Sequence, residues 1–249
     1  MWDSHCHLTI EPAASHSEQI LKLSREKAIQ LSVCAVELDD YISLKKIKMA
    51  YPENIYHIGL HPWAIKEETN VVETTKLIVE ELSYFDGVGE VGLDFLKSKS
   101  TKDKQIAFLE ELLSKLKTSS KPVVYHCVKA HNELLSLDLG DSYNIIHGFY
   151  AGLELAKRYL DRGFYFSLGH LYLNSKKDEL LRYIPPDRML LETDSPSSIY
   201  KGHSSSVLPF RSPMDIDSIY SYFSSVMDIS KEELILQLNK NMNILYKKS

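Results

Sequence analysis

Eight short runs of apolar, β-branched and aromatic residues alternate along the chain with stretches of helical periodicity. The runs are Met1–Leu8, Ser32–Leu38, Ile55–His61, Gly87–Phe95, Pro122–Val128, Tyr143–Phe149, Phe164–Gly169 and Arg188–Thr193. Between them lie segments such as 102–117 (KDKQIAFLEELLSKLK), where apolar residues recur at helical spacing. Strands separated by helices, without hairpin signals, predict parallel pairing. We therefore expect an α/β fold, a (β/α)8 TIM barrel of one domain over residues 1–249; a doubly wound open sheet is the alternative.

Length and composition favour a single globular unit. A chain of 249 residues has the size of one barrel, and its 44% hydrophobic and 25% charged residues are typical of soluble proteins. The sequence has neither an apolar run of about 18 residues nor a basic segment followed by an apolar one. We therefore expect a cytoplasmic protein without a membrane segment, and nothing in the sequence implies an obligate protein partner.

Charge and cysteine content restrict the function further. The net charge of −5 argues against a broad basic groove for nucleic acid, although two bound divalent cations would make a pocket locally positive. Three cysteines are too few for a disulfide framework. Because Cys6 and Cys127 each adjoin a histidine in a predicted strand, their side chains are expected to point away from that histidine and pack under a helix.

Polar side chains that are costly to bury occur near the carboxyl ends of the predicted strands, where barrel enzymes have their active sites. Residues i and i+2 of a strand share a face, so His5 and His7 are expected to point to one place. Further candidates lie in GLHPW, GEVGLDF, VVYHC, IIHGF and LLETDSP, namely His61, Glu90, Asp94, His126, His147 and Asp194. A lone histidine among apolar residues is usually a core residue, but a whole set at one end of the strands indicates metal ligands.

Imidazole nitrogens and carboxylate oxygens together suit zinc, manganese, iron or nickel and tolerate magnesium. The candidate ligands are more than one tetrahedral ion needs, and they fit a centre of two divalent ions that share a carboxylate. Glu90 is predicted to bridge the ions, because its strand lies between the two histidine groups in chain order. A buried glutamate paired with a base is the alternative. No P-loop motif is present, so no nucleotide cofactor of that kind is expected.

With these residues in place, the chain resembles the TatD-type metal-dependent deoxyribonucleases, a branch of the amidohydrolase-like TIM barrels. The resemblance extends from Asp3 to about Tyr246 through D-x-H-x-H, GLHPW, GEVGLDF, IHGFYAG and LLETDSP. It implies a (β/α)8 barrel that hydrolyses phosphodiester bonds with divalent metals, commonly removing nucleotides from DNA 3′ ends. It also implies two divalent ions per chain (magnesium, manganese or zinc) and DNA as a transient substrate partner.

The resemblance also implies a role for each candidate. His5, His7 and Asp194 match the ligands of a first ion, His126 and His147 match those of a second, and Glu90 is shared. Asp194 further matches the carboxylate that takes a proton from the attacking water, so Asp194 and Glu90 are the predicted catalytic residues. His61 and Asp94 are predicted to bind substrate, with a purely structural role as the alternative for His61.

The segment after His126 departs from the family pattern. The family usually reads H-x-R-[DE]-A, whereas this chain reads HCVKA. Val128 shares the strand face of His126, so that face lacks a cation able to clamp a phosphate, and Lys129 starts on the opposite face. The departure therefore concerns a residue that would contact a phosphate and leaves the metal ligands unchanged.

Two later segments also differ from the family. His170 replaces a second glycine after the seventh predicted strand, and the usual R-G-K-x-N stretch is replaced by Lys201, His203 and Arg211 in another arrangement. These three residues belong to the loop 194–213, which is expected to shape the substrate mouth, a flexible connection being the alternative. Two more helices are predicted from about Pro213 to Tyr246.

The leading hypothesis is a 3′–5′ exodeoxyribonuclease that uses a water activated by two metals. A hydrolase of a small amide, ester or lactone, or a deacylase of D-aminoacyl-tRNA, is the alternative, and the missing arginine favours it. A third hypothesis is a metal-binding scaffold without catalysis. Replacing Asp194 by Asn would distinguish a scaffold, which would keep partner binding, from either enzyme, which would lose turnover.

Overall fold

The fold is a parallel β-barrel surrounded by helices. A computed structural model describes residues 1–173, 175, 177–196 and 208–247. Within these ranges the strands are β1 (Trp2–Cys6), β2 (Gln30–Cys34), β3 (Ile55–Ile58), β4 (Gly87–Asp94), β5 (Val123–Val128), β6 (Asn144–Ile146), β7 (Tyr165–Leu168) and β8 (Met189–Leu191). Each strand pairs in parallel with the next along the chain, in the order β1 to β8. The predicted strands and their parallel pairing are confirmed.

The sheet closes between β1 and the segment that follows β8. The backbone amide of His7 donates to the carbonyl of Ser195 at 2.7 Å, and the amide of Asp194 donates to the carbonyl of His5 at 3.0 Å. The carboxylate of Asp3 accepts hydrogen bonds from the amide and the hydroxyl of Thr193, at 2.9 and 2.5 Å. These contacts make the sheet a nearly closed barrel, so the open-sheet alternative is wrong.

Helices follow the strands and cover the outside of the barrel. They are α1 (Ser17–Glu26), α2 (Asp40–Ala50), α3 (Val71–Glu81), α4 (Lys102–Leu116), α5 (His131–Ser136), α6 (Leu153–Asp161), α7 (Asp178–Tyr183), α8 (Ile216–Met227) and α9 (Lys231–Tyr246). The predicted helix 102–117 and the two predicted C-terminal helices are confirmed as α4, α8 and α9. No helix in the described ranges is long and apolar enough to cross a membrane.

The strands are shorter than the apolar runs that predicted them, because most runs continue into the loop beyond the sheet. β3 ends at Ile58, so His61 lies in the following loop, and β8 ends at Leu191, before Asp194. Both faces of most strands are buried, as expected for parallel strands covered by helices. Cys6 is fully buried in the apolar core and Cys127 packs partly buried against it, as predicted.

The amino-terminal end of the barrel is closed by apolar side chains and by α9. Residues from seven strands form this cluster with Met242 and Leu245 of α9: Trp2, Cys34, Ile55, Val124, Ile145, Tyr165 and Leu190. Asn241 of the same helix donates to the carbonyls of Pro186 and Met189, at 2.7 and 2.8 Å. Within the described residues, this cluster and α9 thus cover the end of the barrel opposite the one where the strands reach their carboxyl ends.

Gly92 permits the close pairing of β4 with β5. Its φ is +147°, and a Cβ at this position would lie 2.0 Å from the carbonyl oxygen of His126. A side chain would therefore push the two strands apart. Since β4 carries Glu90 and β5 carries His126, this glycine sets the distance between two of the predicted ligands.

Candidate metal centre

All of the predicted ligands meet at the carboxyl end of the barrel. His5 lies in β1 and His7 directly after it, Glu90 lies in β4, His126 in β5, His147 directly after β6, and Asp194 after β8. Each of these residues has at least one side-chain contact with another member of the set.

Glu90 lies at the centre of this group, and its two oxygens face different histidine pairs. Oε2 is 3.2 Å from Nε2 of His5 and 3.3 Å from Nε2 of His7. Oε1 is 2.8 Å from Nδ1 of His126 and 2.7 Å from Nε2 of His147. A carboxylate placed in this way can contribute one oxygen to each of two neighbouring ions.

The spacing of the donor atoms fits metal coordination. Nε2 of His5 is 3.2 Å from Nε2 of His7, and Oδ1 of Asp194 lies 3.7 and 3.8 Å from these two nitrogens. Ligands about 2.1 Å from a tetrahedral ion are about 3.4 Å from one another, so the observed separations match one shared ion. On the other side of Glu90, Nδ1 of His126 and Nε2 of His147 are 3.3 Å apart.

The electrostatics of the cluster also favour a cation. Burial lowers the pKa of His5 well below its usual value, which keeps the imidazole neutral and available as a ligand. Burial acts in the same direction on His147, but Glu90 and Glu192 raise the pKa of His147 well above its usual value. A group of buried carboxylates that draws protons onto neighbouring imidazoles would equally stabilise a divalent ion in their place.

Asp94 accepts hydrogen bonds through both of its oxygens. Oδ2 lies 2.6 Å from Nε1 of Trp63 and 3.2 Å from Nε2 of His126, while Oδ1 accepts from the amides of Leu96 and Lys97 at 2.8 and 2.7 Å. Burial disfavours the charged form, but these donors hold the pKa of Asp94 below its usual range. Asp94 thus orients the His126 ring so that Nδ1 faces Glu90, and its predicted substrate contact stays a prediction.

His61 is buried beside Glu90. Its Nδ1 accepts from the amide of Trp63 at 3.1 Å, so Nε2 carries the proton and points to Oε1 of Glu90 at 3.3 Å. Burial lowers the pKa of His61 to about 4, and the ring is therefore neutral at pH 7. His61, Glu90 and His126 also form a group close enough to share an ion. The predicted substrate contact of His61 stays a prediction.

Glu192 was not among the predicted site residues, although it lies beside His147. One oxygen accepts from the amide of Gly148 at 2.8 Å and lies 3.5 Å from Nδ1 of His147. The other accepts from the hydroxyl of Ser167, which is 2.6 Å from the hydroxyl of Ser4. His5, His147 and Glu192 form a further group that could hold an ion. The i, i+2 rule that paired His5 with His7 could have found Glu192, two residues before Asp194.

Of the positions that depart from the family pattern, Val128, Lys129, His170 and Arg211 lie in the described part of the chain. Val128 is half-buried at the end of β5, and Lys129 is exposed with a φ of +57°. His170 is buried, and burial lowers its pKa to about 4. Lys201 and His203 fall outside the described residues.

Comparison with known proteins places this arrangement in one family. The family model described as TatD related DNase matches residues 2–247. YcfH of Escherichia coli K12, described as an uncharacterized metal-dependent hydrolase, is 26% identical over 255 residues, covering 98% of this chain and 94% of its own. BU355 of Buchnera aphidicola, described in the same words, is 27% identical over 250 residues, covering 92% of this chain and 91% of its own. These relatives and the clustered ligands together indicate that this chain binds a divalent metal.

Solved structures support the fold. YjjV of Escherichia coli K12, a TatD homolog, superposes with a TM-score of 0.87 at 23% identity, covering 100% of this chain and 98% of its own. A TatD family hydrolase of Entamoeba histolytica gives a TM-score of 0.83 at 20% identity, covering 99% of this chain and 97% of its own.

Proposed function

Because the chain belongs to the TatD related DNase family of metal-dependent hydrolases, we propose that it hydrolyses phosphodiester bonds of DNA and removes nucleotides from 3′ ends. The observation that carries the proposal is the position of Glu90, with one oxygen toward His5 and His7 and the other toward His126 and His147. A shared carboxylate between two histidine pairs is the arrangement of a two-metal hydrolytic centre.

His5, His7 and Asp194 would hold one divalent ion, His126 and His147 would hold a second, and Glu90 would be shared by both. When bound, the two ions lower the pKa of a water and offset charge on the attacking and leaving oxygens of the phosphodiester. Magnesium, manganese and zinc all suit this mixed nitrogen and oxygen donor set.

The protein residues perform the remaining steps. The side chain of Asp194 is 26% exposed, whereas that of Glu90 is 2% exposed, so Asp194 is the carboxylate that can reach both the site and the substrate mouth. We assign to Asp194 the acceptance of a proton from the attacking water. Asp94 orients the His126 ring. His61 keeps its proton on Nε2, which lies 3.3 Å from Oε1 of Glu90.

A second candidate function keeps the same centre and changes the bond that is cleaved. Val128 stands where the family usually has a phosphate-binding arginine. The neighbouring Lys129 has a left-handed backbone conformation, with a φ of +57°. This absence favours a hydrolase of a small amide, ester or lactone, or a D-aminoacyl-tRNA deacylase.

The test is digestion of single-stranded DNA labelled at its 5′ end, with magnesium, manganese or zinc added in turn. The proposal expects stepwise shortening with at least one metal, its loss in Asp194→Asn, and full activity in the exposed control Asp141→Asn. A circular single strand, which has no 3′ end, is expected to resist. Failure of every metal to support shortening, in protein shown to contain bound metal, would overturn the DNA substrate and favour the second candidate.

A further inference from the structure

A groove beside the metal centre combines an exposed indole with lysine side chains. Its volume is about 680 Å³, and the loops after β3 and β4 form its walls. Trp63 is 48% exposed, and its ring centroid is 5.9 Å from that of His126. Through Trp63, the groove therefore adjoins one of the proposed metal ligands.

The charge of this groove is opposite to that of the whole protein. Lys66, Lys97 and Lys99 line it with Glu67 as the one acidic residue among its described lining, whereas the chain carries a net charge of −5. All three lysines are exposed, and Nζ of Lys97 lies 5.4 Å from the centroid of the Trp63 ring. A locally positive strip on an acidic protein is suited to a polyanion that arrives at the metal centre.

Hydrogen bonds hold the groove in shape. Nε1 of Trp63 donates to Asp94 at 2.6 Å, which fixes the plane of the indole. The hydroxyl of Ser98 donates to the carbonyl of Pro62 at 2.7 Å and joins the two loops. Gln105 of α4 donates to the carbonyls of Asp94 and Ser100, at 3.2 and 3.0 Å. A preformed aromatic surface on loops held in this way needs little ordering when a ligand binds.

We propose that this groove binds the single-stranded nucleic acid next to the scissile phosphate, with one base stacked on Trp63 and the adjoining phosphates beside Lys97 and Lys99. The inference rests on the proposed nuclease function and names the substrate form that the site accepts. Stacking on a flat ring with cations along the backbone binds single strands with little sequence preference, because every base has a π face. The lysines would supply, from the β4 loop, the phosphate contacts that Val128 cannot make.

Binding can be followed through Trp63 itself. The chain has two tryptophans, and Trp2 is only 3% exposed, so a quencher or a stacked base in solution reaches Trp63 selectively. A short oligothymidylate protected at its 3′ end by phosphorothioate linkages is added to the metal-loaded protein. The inference expects quenching of the fluorescence and its absence in Trp63→Phe. An unchanged Trp63 emission at saturation would overturn the stacking.

Charge reversal tests the lysines. The variant Lys97→Glu/Lys99→Glu is expected to bind the oligothymidylate at least about tenfold more weakly, with a salt slope smaller by about 1.4. The control Lys157→Glu/Lys240→Glu makes the same change of net charge on α6 and α9 and is expected to bind like the natural protein. Equal losses of binding in both variants would show a general charge effect and overturn the proposal for the groove. Competition by polyglutamate as strong as that by unlabelled oligothymidylate would also overturn it.

A small substrate separates failure of the groove from failure of the proposed function. Bis(p-nitrophenyl) phosphate offers a phosphodiester without a strand to fill the groove. The charge-reversal variant in the groove is expected to lose at least about tenfold more activity toward the oligonucleotide than toward this diester. Equal losses would overturn the groove while the nuclease proposal stands. No hydrolysis of either substrate, with no binding of the oligonucleotide, would overturn both.

Discussion

Replacing Asp94 by Asn changes one oxygen into an amide nitrogen, and no orientation of the new side chain fits its surroundings. All four contacts of Asp94 are with donors: two backbone amides on Oδ1, and Trp63 and His126 on Oδ2. The amide nitrogen of Asn must therefore face donors in either orientation. In one orientation the amides of Leu96 and Lys97 lose their acceptor. In the other, His126 and Trp63 lose theirs.

The expected magnitude follows from these contacts. Hydrogen bonds to a charged acceptor contribute about 1.5–3 kcal/mol each, and a buried donor without a partner costs about 1–3 kcal/mol. With partial relaxation, we expect the metal-free protein to lose about 3 kcal/mol of unfolding free energy. Carboxylates that orient a metal-binding histidine typically change metal affinity by about 10–100-fold when they are replaced, so we expect a loss in that range at the His126 side of the centre.

Two measurements separate these effects. Chemical denaturation with a chelator present gives the unfolding free energy of the metal-free protein, and competition with a chromogenic chelator gives the metal affinity. The matched control is Asp141→Asn, an exposed aspartate outside the site, for which neither quantity is expected to change. Metal affinity and metal-free stability of Asp94→Asn both equal to those of the natural protein would refute the assigned role of Asp94.

Three further predictions concern the framework. Gly92→Ala should lose about 3 kcal/mol in urea denaturation because its Cβ meets the His126 carbonyl, whereas Gly152→Ala, where the space is open, should not. Burial lowers the pKa of His170 to about 4, so between pH 6.5 and pH 4 this histidine takes up a proton in the unfolded chain before it does so in the folded protein. Over this range the natural protein should therefore lose up to about 3 kcal/mol more unfolding free energy than His170→Gln. Asn241→Leu should cost about 2 kcal/mol by thermal unfolding, since the buried carbonyl of Met189 and the partly buried carbonyl of Pro186 lose this donor.

The barrel could be predicted from sequence because periodicity and strand count restrict it strongly. Each predicted apolar run overlaps an observed strand, although β2 begins two residues before its run, and the predicted helix 102–117 is α4 with its end displaced by one residue. The ends of strands were less predictable, since apolar residues such as those of GLHPW continue past the last ladder hydrogen bond. Those ends depend on neighbouring strands, which the local pattern does not contain.

The candidate metal ligands could be predicted from the sequence, but the residues that hold them in position could not. His5 and His7 converge as the two-residue strand period requires, with their Nε2 atoms 3.2 Å apart. The links of Asp94 to Trp63 and of Glu192 to Ser167 join residues about 25 to 31 positions apart in the chain, and no local pattern encodes them. The lysines of the groove were missed because loop residues have no period, and their positions depend on contacts from Gln105 and Ser98.

The central claim is that Glu90 joins two divalent ions, one on each side of its carboxylate. Crystals grown with manganese and measured at the manganese absorption edge would locate the ions directly through anomalous scattering. We expect two peaks about 3.5–4 Å apart, one beside His5 and His7 and one beside His126 and His147. A single peak on one side of Glu90, at manganese concentrations that saturate activity, would contradict the shared-carboxylate centre.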